Sequence, residues 1–319
     1  MSELLKRIDA RTKLAGTNKL EVLLFSLGKD QRTGREEIFG INVFKVREVM
    51  RTPEITAAPE MPSSVEGMVS LRGTLVPVID LAKYTGIVTD GRPDIMIVTE
   101  YNRHTQGFLV QSVDTILRLD WSAMRMPPDM ITNRMGGLVT AVTEVKPNTL
   151  AMMIDVEKIL AETSPMDDAY LFANLAPTKE HRMVYFADDS IVARKQIERT
   201  LDAMNIKYAQ AINGMNAWED LQQMAAQAEM NGRKLVDTLQ LVLTDVEMPE
   251  MDGYMLTKHI KSDARFAGIP VLMHSSLSGD SNQRHGEAMG VDAYVPKFDP
   301  QKLSMKLCEM LKIEDVQRH

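Results

Sequence analysis

Hydrophobic positions keep three different rhythms along this chain of 319 residues. Leu4, Leu5, Ile8 and Leu14 fall near one face at helical spacing and Gly16 supplies a stop, which predicts a short amphipathic helix docked on its own domain. From Leu20 to about Leu160 short β-rich runs recur: LEVLLFSL (20–27), EIFGINVFKV (37–46), TLVPVIDL (74–81), DIMIVTEY (94–101), GFLVQSVDTILRL (107–119), GLVTAVTEV (137–145) and TLAMMIDV (149–156). Gly, Pro, Asn or Asp stands between most of them, as turns require. Many short strands without regularly intervening helices predict a barrel or sandwich rather than a βαβ sheet. Val46, Val49 and Met50 are expected to continue a helical turn after the second run, and VEKIL (156–160) to close the region as a helix. No internal repeat is read.

Between residues 163 and 181 the pattern breaks. TSPMDDAYLFANLAPTKEH carries two prolines and interleaved charge and reads as a linker. From Arg182 the rhythm becomes alternating strands and helices. MVYFA (183–187) is a near-continuous apolar run, as suits a parallel strand buried on both faces. Ile197, Leu201 and Met204 then mark the apolar stripe of a helix, and KYAQA, LQLVLT, PVLMHSS and DAYVP follow as strands, with further helices around 216–229, 251–264, 280–289 and 299–312. The expected organisation is an all-β domain with its N-terminal helix (1–162), a linker (163–181) and a doubly wound (βα)5 α/β domain (182–319).

Composition narrows the class. Hydrophobic residues make up 44% and charged residues 25%, an ordinary globular mix. The net charge of −7 lowers the expectation of nucleic-acid binding. Cys308 is the only cysteine, which excludes an intramolecular disulfide and points to a reducing compartment. No apolar run is long enough to span a bilayer, and the N-terminus lacks the apolar core of a signal peptide. A cytoplasmic protein without membrane insertion is expected.

In a doubly wound sheet the ligand site lies at the carboxyl ends of the strands, and in this chain four of the five such ends carry a reactive group. Asp188 and Asp189 follow the first strand, Asp245 the third, Ser275 ends the fourth and Lys297 follows the fifth. Three clustered carboxylates repel one another by about 1–4 kcal/mol per pair, so the set calls for a cation, and hard oxygen ligands suit Mg²⁺. A carboxylate beside a metal and opposite a lysine suits phosphoryl transfer, with Asp245 as nucleophile and Asp188 and Asp189 holding the metal. Asp189 or Ser190 alone would suit a helix N-cap. Five such groups at four strand ends are a different matter.

MVYFADDS, LVLTDVEMPEMDG, VLMHSS and AYVPK, in that order, resemble the receiver domain of two-component response regulators. The resemblance makes Asp245 the phosphoacceptor, Asp188 and Asp189 the acidic pair, and the backbone carbonyl of Glu247 a further metal ligand. It makes Ser275 the hydroxyl that turns toward the phosphoryl group, Tyr294 the aromatic switch and Lys297 the phosphoryl-contacting lysine. Three features depart from the pattern. Phe298 rather than proline follows Lys297, the stretch AEMNGRKLVDT is long, and Glu247 places an acid where it stands to alter the phosphoryl lifetime.

The first half holds no Gly-rich phosphate loop, HExxH or GxSxG motif. LEVLLFSLG, FGINVFKVREV, VEGMVSLRGTLVPVIDL and MIDVEKIL resemble the CheW family of chemotaxis coupling proteins. That family has two intertwined five-stranded barrels and bridges receptor tips to the regulatory domain of a histidine kinase. Carried over by position, Val46, Glu48 and Arg72 fall on its interaction surfaces. Core packing suits Val46 equally well, and Arg72 stands in a turn beside Gly73 where it could be simply solvated. The two domains in this order, with RTKLAG and LEVLLF at the start, are similar to the CheV family over nearly the whole chain.

The resemblance implies a non-enzymatic chemotaxis adaptor adjusted by phosphorylation of Asp245. Its partners would be the chemotaxis histidine kinase, chemoreceptor cytoplasmic tips and other coupling proteins, and its place the cytoplasmic face of membrane-bound receptor arrays. Two rivals stand beside this reading: a constitutive coupler whose receiver is a phosphate sink, and a metal-dependent phosphatase. The second lacks the usual DxD pairing.

Overall fold

Strand β1 (Lys19–Lys29) is apolar at successive positions, and both of its faces are covered in the computed structural model of the chain. The structure describes residues 19–57, 59–101, 104–163, 172, 175, 177–179, 181–275, 290–297 and 299–313. The expected N-terminal helix, most of the 163–181 linker, the 280–289 helix and Phe298 lie outside them. The chain divides into two compact units, Met1–Pro165 and Met166–His319.

In the first unit β1 pairs with β2 (Glu36–Asn42), and a 3₁₀ turn, Val43–Lys45, leads into β3 (Val46–Arg51). The helical turn therefore falls before Val46. Val46, Val49 and Met50 lie in a strand, a correction to the expected spacing: the three belong to a period of two interrupted by a bulge between Val46 and Glu48. β4 (Val65–Leu71), β5 (Thr74–Asp80) and helix α1 (Leu81–Thr85) follow. β6 (Ile95–Tyr101), β7 (His104–Val110), β8 (Ser112–Asp120), helix α2 (Asp129–Arg134), β9 (Val139–Lys146), β10 (Thr149–Ile154) and helix α3 (Val156–Thr163) complete the unit.

These strands form two five-stranded sheets, ordered β8-β1-β2-β10-β9 and β3-β6-β7-β5-β4. Each closes on itself through one bridge just past its first strand, Arg125 to Val142 in one and Thr56 to Met68 in the other. The result is two small barrels, each borrowing its central hairpin from the opposite half of the unit. Alternation along β1 explains why. Leu20, Val22 and Leu24 fill the interior of their own barrel, while Leu23, Phe25 and Leu27 pack between the barrels against Phe108, Ile79 and Ile159.

This architecture contains a repeat. TLVPVIDLAK (74–83) and TLAMMIDVEK (149–158) share Thr, Leu, Ile, Asp and Lys at matching places, and both run from a strand into a helix. Asp80 accepts the Lys83 N–H at 3.1 Å, and Asp155 accepts those of Glu157 and Lys158 at 3.0 and 3.3 Å. Both acids thus satisfy orphan donors of a first helical turn. Bulges recur too: the register slips between Val65 and Gly67 in one barrel and between Met153 and Ile154 in the other.

The second unit is a parallel sheet ordered β12-β11-β13-β14-β15, from β11 (Met183–Ala187), β12 (Lys207–Ala211), β13 (Leu241–Thr244), β14 (Val271–Ser275) and β15 (Ala293–Pro296). Helices α4 (Ile191–Ala203), α5 (Gly214–Met230), α6 (Gly253–Ser262) and α7 (Pro300–Leu311) connect and flank the strands. Tyr185 and Val242 face α5 and α6, and Phe186 and Leu243 face α4 and α7, so the sheet is buried on both sides. The chain order reverses between β11 and β13, which places a crevice at their carboxyl ends. No helix among the described residues is long and apolar enough to cross a membrane.

Candidate functional site

Parallel strands deliver their carboxyl ends to one edge, so the residues following β11, β13 and β15 meet although they are far apart in sequence. One carboxylate oxygen from each of Asp188, Asp189 and Asp245 lies within 4.8 Å of the other two. Lys297 Nζ stands 2.7 Å from Asp245 Oδ2 and 2.9 Å from Asp188 Oδ2. Asp188 has no exposed surface, and Asp245 and Lys297 are each 4% exposed. Three carboxylates against one ammonium in a water-poor pocket leave surplus negative charge. That oxygen donor set fits a hard divalent cation such as Mg²⁺.

Backbone geometry holds the acids in place. Asp188 Oδ1 accepts the Ser190 N–H at 2.9 Å, and its carbonyl accepts a hydrogen bond from Arg194, in the first turn of α4, at 2.7 Å. The Val246 N–H donates to Asp245 Oδ1 at 2.6 Å. Ser190 caps α4 by accepting the Ala193 N–H, so the cap alternative falls to Ser190 and Asp189 is left for the pocket. A Cβ at Gly253 would sit 1.9 Å from the Asp245 carbonyl oxygen. Only glycine lets α6 close on the acceptor loop.

Ser275 ends β14, is buried, and its carbonyl accepts the Lys297 N–H at 3.1 Å. Tyr294 is half-buried on β15, opposite Met273. Glu247, two residues past Asp245, is half-buried near the Tyr254 hydroxyl. Sequence reading missed Arg194, Asp252, Gly253 and Tyr254. The MDGY run after Pro249 held the signal, an N-cap acid and a glycine directly behind the acceptor turn.

Asp252 caps α6 by accepting the Met255 N–H at 2.7 Å, and burial pushes its carboxyl from 3.8 up to about 6. A folded-state value above the unfolded one means that the charged form opposes folding. The cost is absent below about pH 4, grows through pH 6 and is complete above it. Asn caps equally well without the charge. Asp252→Asn is expected to raise unfolding stability at pH 7.5 by about 1–3 kcal/mol and leave it unchanged at pH 3.5, measured by urea unfolding at both values.

In the first unit Glu48 and Arg72 come together, with Arg72 Nη2 3.2 Å from Glu48 Oε2 and the Arg72 side chain 72% exposed. Arg72 has φ +50° and Gly73 φ +84° in the two-residue turn between Leu71 and Thr74. This is a type I′ hairpin, which tightens the turn and projects the guanidinium outward. Val46 is 1% exposed and packs in the core between the barrels, so its side chain is withdrawn from the surface that the sequence reading offered it.

Comparison with known proteins places two families in order. The CheW-like domain matches residues 21–164, and the response regulator receiver domain matches residues 184–307. The chemotaxis protein CheV3 of Helicobacter pylori is 31% identical over 302 residues, covering 92% of this chain and 95% of that protein. CheV1 of the same organism is 27% identical over 333 residues, covering 98% and 100%. Among solved structures, the scaffolding protein TtCheW from Thermoanaerobacter tengcongensis matches 43% of this chain and 84% of its own at 28% identity, with a TM-score of 0.38.

Proposed function

This chain belongs to the CheV family of chemotaxis coupling proteins, and from that premise we propose that its coupling activity is adjusted by phosphorylation of Asp245. The observation that carries the reading is Lys297 Nζ set between Asp188 and Asp245, with Asp189 inside the same cluster. The donor is the phosphohistidine of the chemotaxis kinase. An Asp245 carboxylate oxygen attacks phosphorus, the P–N bond breaks, and the donor histidine leaves with the electron pair and takes up a proton. Asp188, Asp189, Asp245 and the Glu247 carbonyl would hold Mg²⁺, which supplies charge neutralisation on the phosphoryl oxygens. Lys297 moves from bridging two carboxylates to contacting the phosphoryl group, and the Ser275 hydroxyl turns toward it.

The phosphoryl group adds about −1.5 to −2 charge to the pocket and shifts the receiver between pre-existing conformations. The β unit bridges the kinase, receptor cytoplasmic tips and other coupling proteins at the cytoplasmic face of receptor arrays. It needs neither nucleic acid nor insertion into the membrane. Pull-down of receptor and kinase by the full chain, with Mg²⁺ and with or without beryllofluoride, tests the coupling. A severalfold change in captured kinase or receptor supports the reading. Identical capture in both conditions rejects modulation and leaves the phosphate sink.

Arg72 offers a clean probe of the coupling surface. Asn is favoured in type I′ turns, so Arg72→Asn keeps the hairpin while removing the guanidinium. The exposed ion pair with Glu48 contributes about 0–1 kcal/mol, which the better turn residue offsets. Recruitment to receptor–kinase arrays is expected to fall severalfold with an unchanged melting temperature. Unchanged recruitment removes Arg72 from the interface.

A further inference from the structure

The corner between β12 and α5 touches both chain segments that frame the acid pocket, and the chemistry described so far leaves it unused. The Ala211 carbonyl, at the end of β12, accepts the Asp188 N–H at 3.3 Å. Asn213 Nδ2 donates to Glu250 Oε2 at 3.2 Å, in the turn that follows the acceptor. A Cβ at Gly214 would lie 2.2 Å from the Met251 carbonyl oxygen, so the start of α5 is pressed onto the same turn. The Gly253 N–H closes that turn on the Val246 carbonyl at 2.9 Å, and Glu250 stands inside it at φ +66°. Glutamate does not favour this conformation, because its Cβ crowds the backbone, so contacts from outside the turn have to maintain it. Asn213 has no exposed surface and its amide needs a partner, which the half-buried Glu250 carboxylate supplies.

We propose that Asn213 is a positioning residue: through Glu250 it braces the acceptor turn against the corner that also holds Asp188, and so fixes the spacing of the ligands that would hold Mg²⁺. The inference rests on the reading that Asp188, Asp189, Asp245 and the Glu247 carbonyl bind the ion. Of these, Glu247 alone offers a backbone ligand, and a carbonyl moves with the turn that carries it. Glu250 lies three residues further along the same turn. Release at Glu250 therefore lets the Glu247 carbonyl drift, while the three carboxylates stay on their strand ends. Mg²⁺ demands near-octahedral geometry and short metal–oxygen distances, so it tolerates such drift poorly. Asn213 touches none of the ligands and acts only through the turn.

Asn213 also caps α5, its Oδ1 accepting the Asn216 N–H at 2.7 Å. Serine caps equally well but has no amide to donate, so Asn213→Ser keeps the cap and releases Glu250. The test titrates Mg²⁺ into the full ¹⁵N-labelled chain and follows the Val246 and Gly253 amides. Mg²⁺ is expected to bind Asn213→Ser about 3–10-fold more weakly, with an unchanged urea midpoint. Glu250→Met removes the same bond from its more exposed partner and should lose as much, and the double variant no more than either. Glu250→Gln keeps an acceptor oxygen and should stay within about twofold of wild type. Wild-type affinity in Asn213→Ser or Glu250→Met, or additive losses, would overturn the brace. So would a Glu250→Gln chain as weak as Glu250→Met, which would make Glu250 a charge and not an anchor, or a urea midpoint of Glu250→Met that falls in step with its affinity. A wild-type chain that ignores Mg²⁺ overturns the metal reading and the brace with it, whereas equal binding by wild type and variants overturns the brace alone.

Discussion

Asp245→Ala is expected to abolish labelling by the phosphorylated kinase, with any residual acid- and base-labile phosphate at least about 100-fold below wild type. The effect is large because no other carboxylate can stand in. Asp188 is fully buried and holds the Ser190 N–H, and Asp189 lies on the neighbouring strand end without the Val246 amide that orients Asp245. The fold survives, since Lys297 keeps Asp188 at 2.9 Å and the crowding of three anions falls to two. Label that persists in the variant would place the acceptor elsewhere. Normal partner affinities in vitro with altered signalling duration would favour the phosphate sink, and normal adaptation in cells would reject both phosphorylation roles.

Much of this pocket was legible in the sequence because each reactive group directly follows a short apolar strand, and parallel topology then forces convergence. The β unit was harder to read. EVLLF announces a strand buried on both faces without saying what covers each, and the borrowing of hairpins between barrels depends on pairings distant in sequence. β4 escaped because Gly67, at φ +137° and pressed against the Thr56 carbonyl, breaks the alternation of VEGMVSL. The repeat escaped because its halves agree at the helix-capping aspartates while their barrel-filling positions diverge, Val76 against Ala151 and Val78 against Met153. Val46 shows the limit of positional transfer. A valine at a place credited to an interface satisfies the core equally well, and only burial distinguishes the two.

The opposite end of the same ion pair behaves differently. Lys297→Met preserves the volume of the stem but leaves Asp188 and Asp245 buried without their ammonium. Removing one partner of a buried pair costs about 3–5 kcal/mol, whereas Asp245→Ala removes a charge that was in excess. In Mg²⁺-free buffer at pH 7.5 the Lys297→Met chain should therefore lose about 3–5 kcal/mol of receiver stability, measured by urea unfolding. The deficit has a definite sign with pH. A buried carboxylate without a cation favours its protonated form, so the loss vanishes below about pH 4, where the unfolded chain also protonates, and grows as pH rises. Mg²⁺ held by the folded pocket should return about 2–3 kcal/mol at a hundredfold excess over its dissociation constant. Asp188→Asn added to Lys297→Met should recover a similar amount without metal, because one buried charge is gone. Labelling should stay low in both, since no ammonium remains to meet the phosphoryl oxygens. A Lys297→Met chain as stable as wild type at every pH would mean that the acids are solvated in the folded state, and the charge-crowded pocket on which the acceptor chemistry depends would be lost.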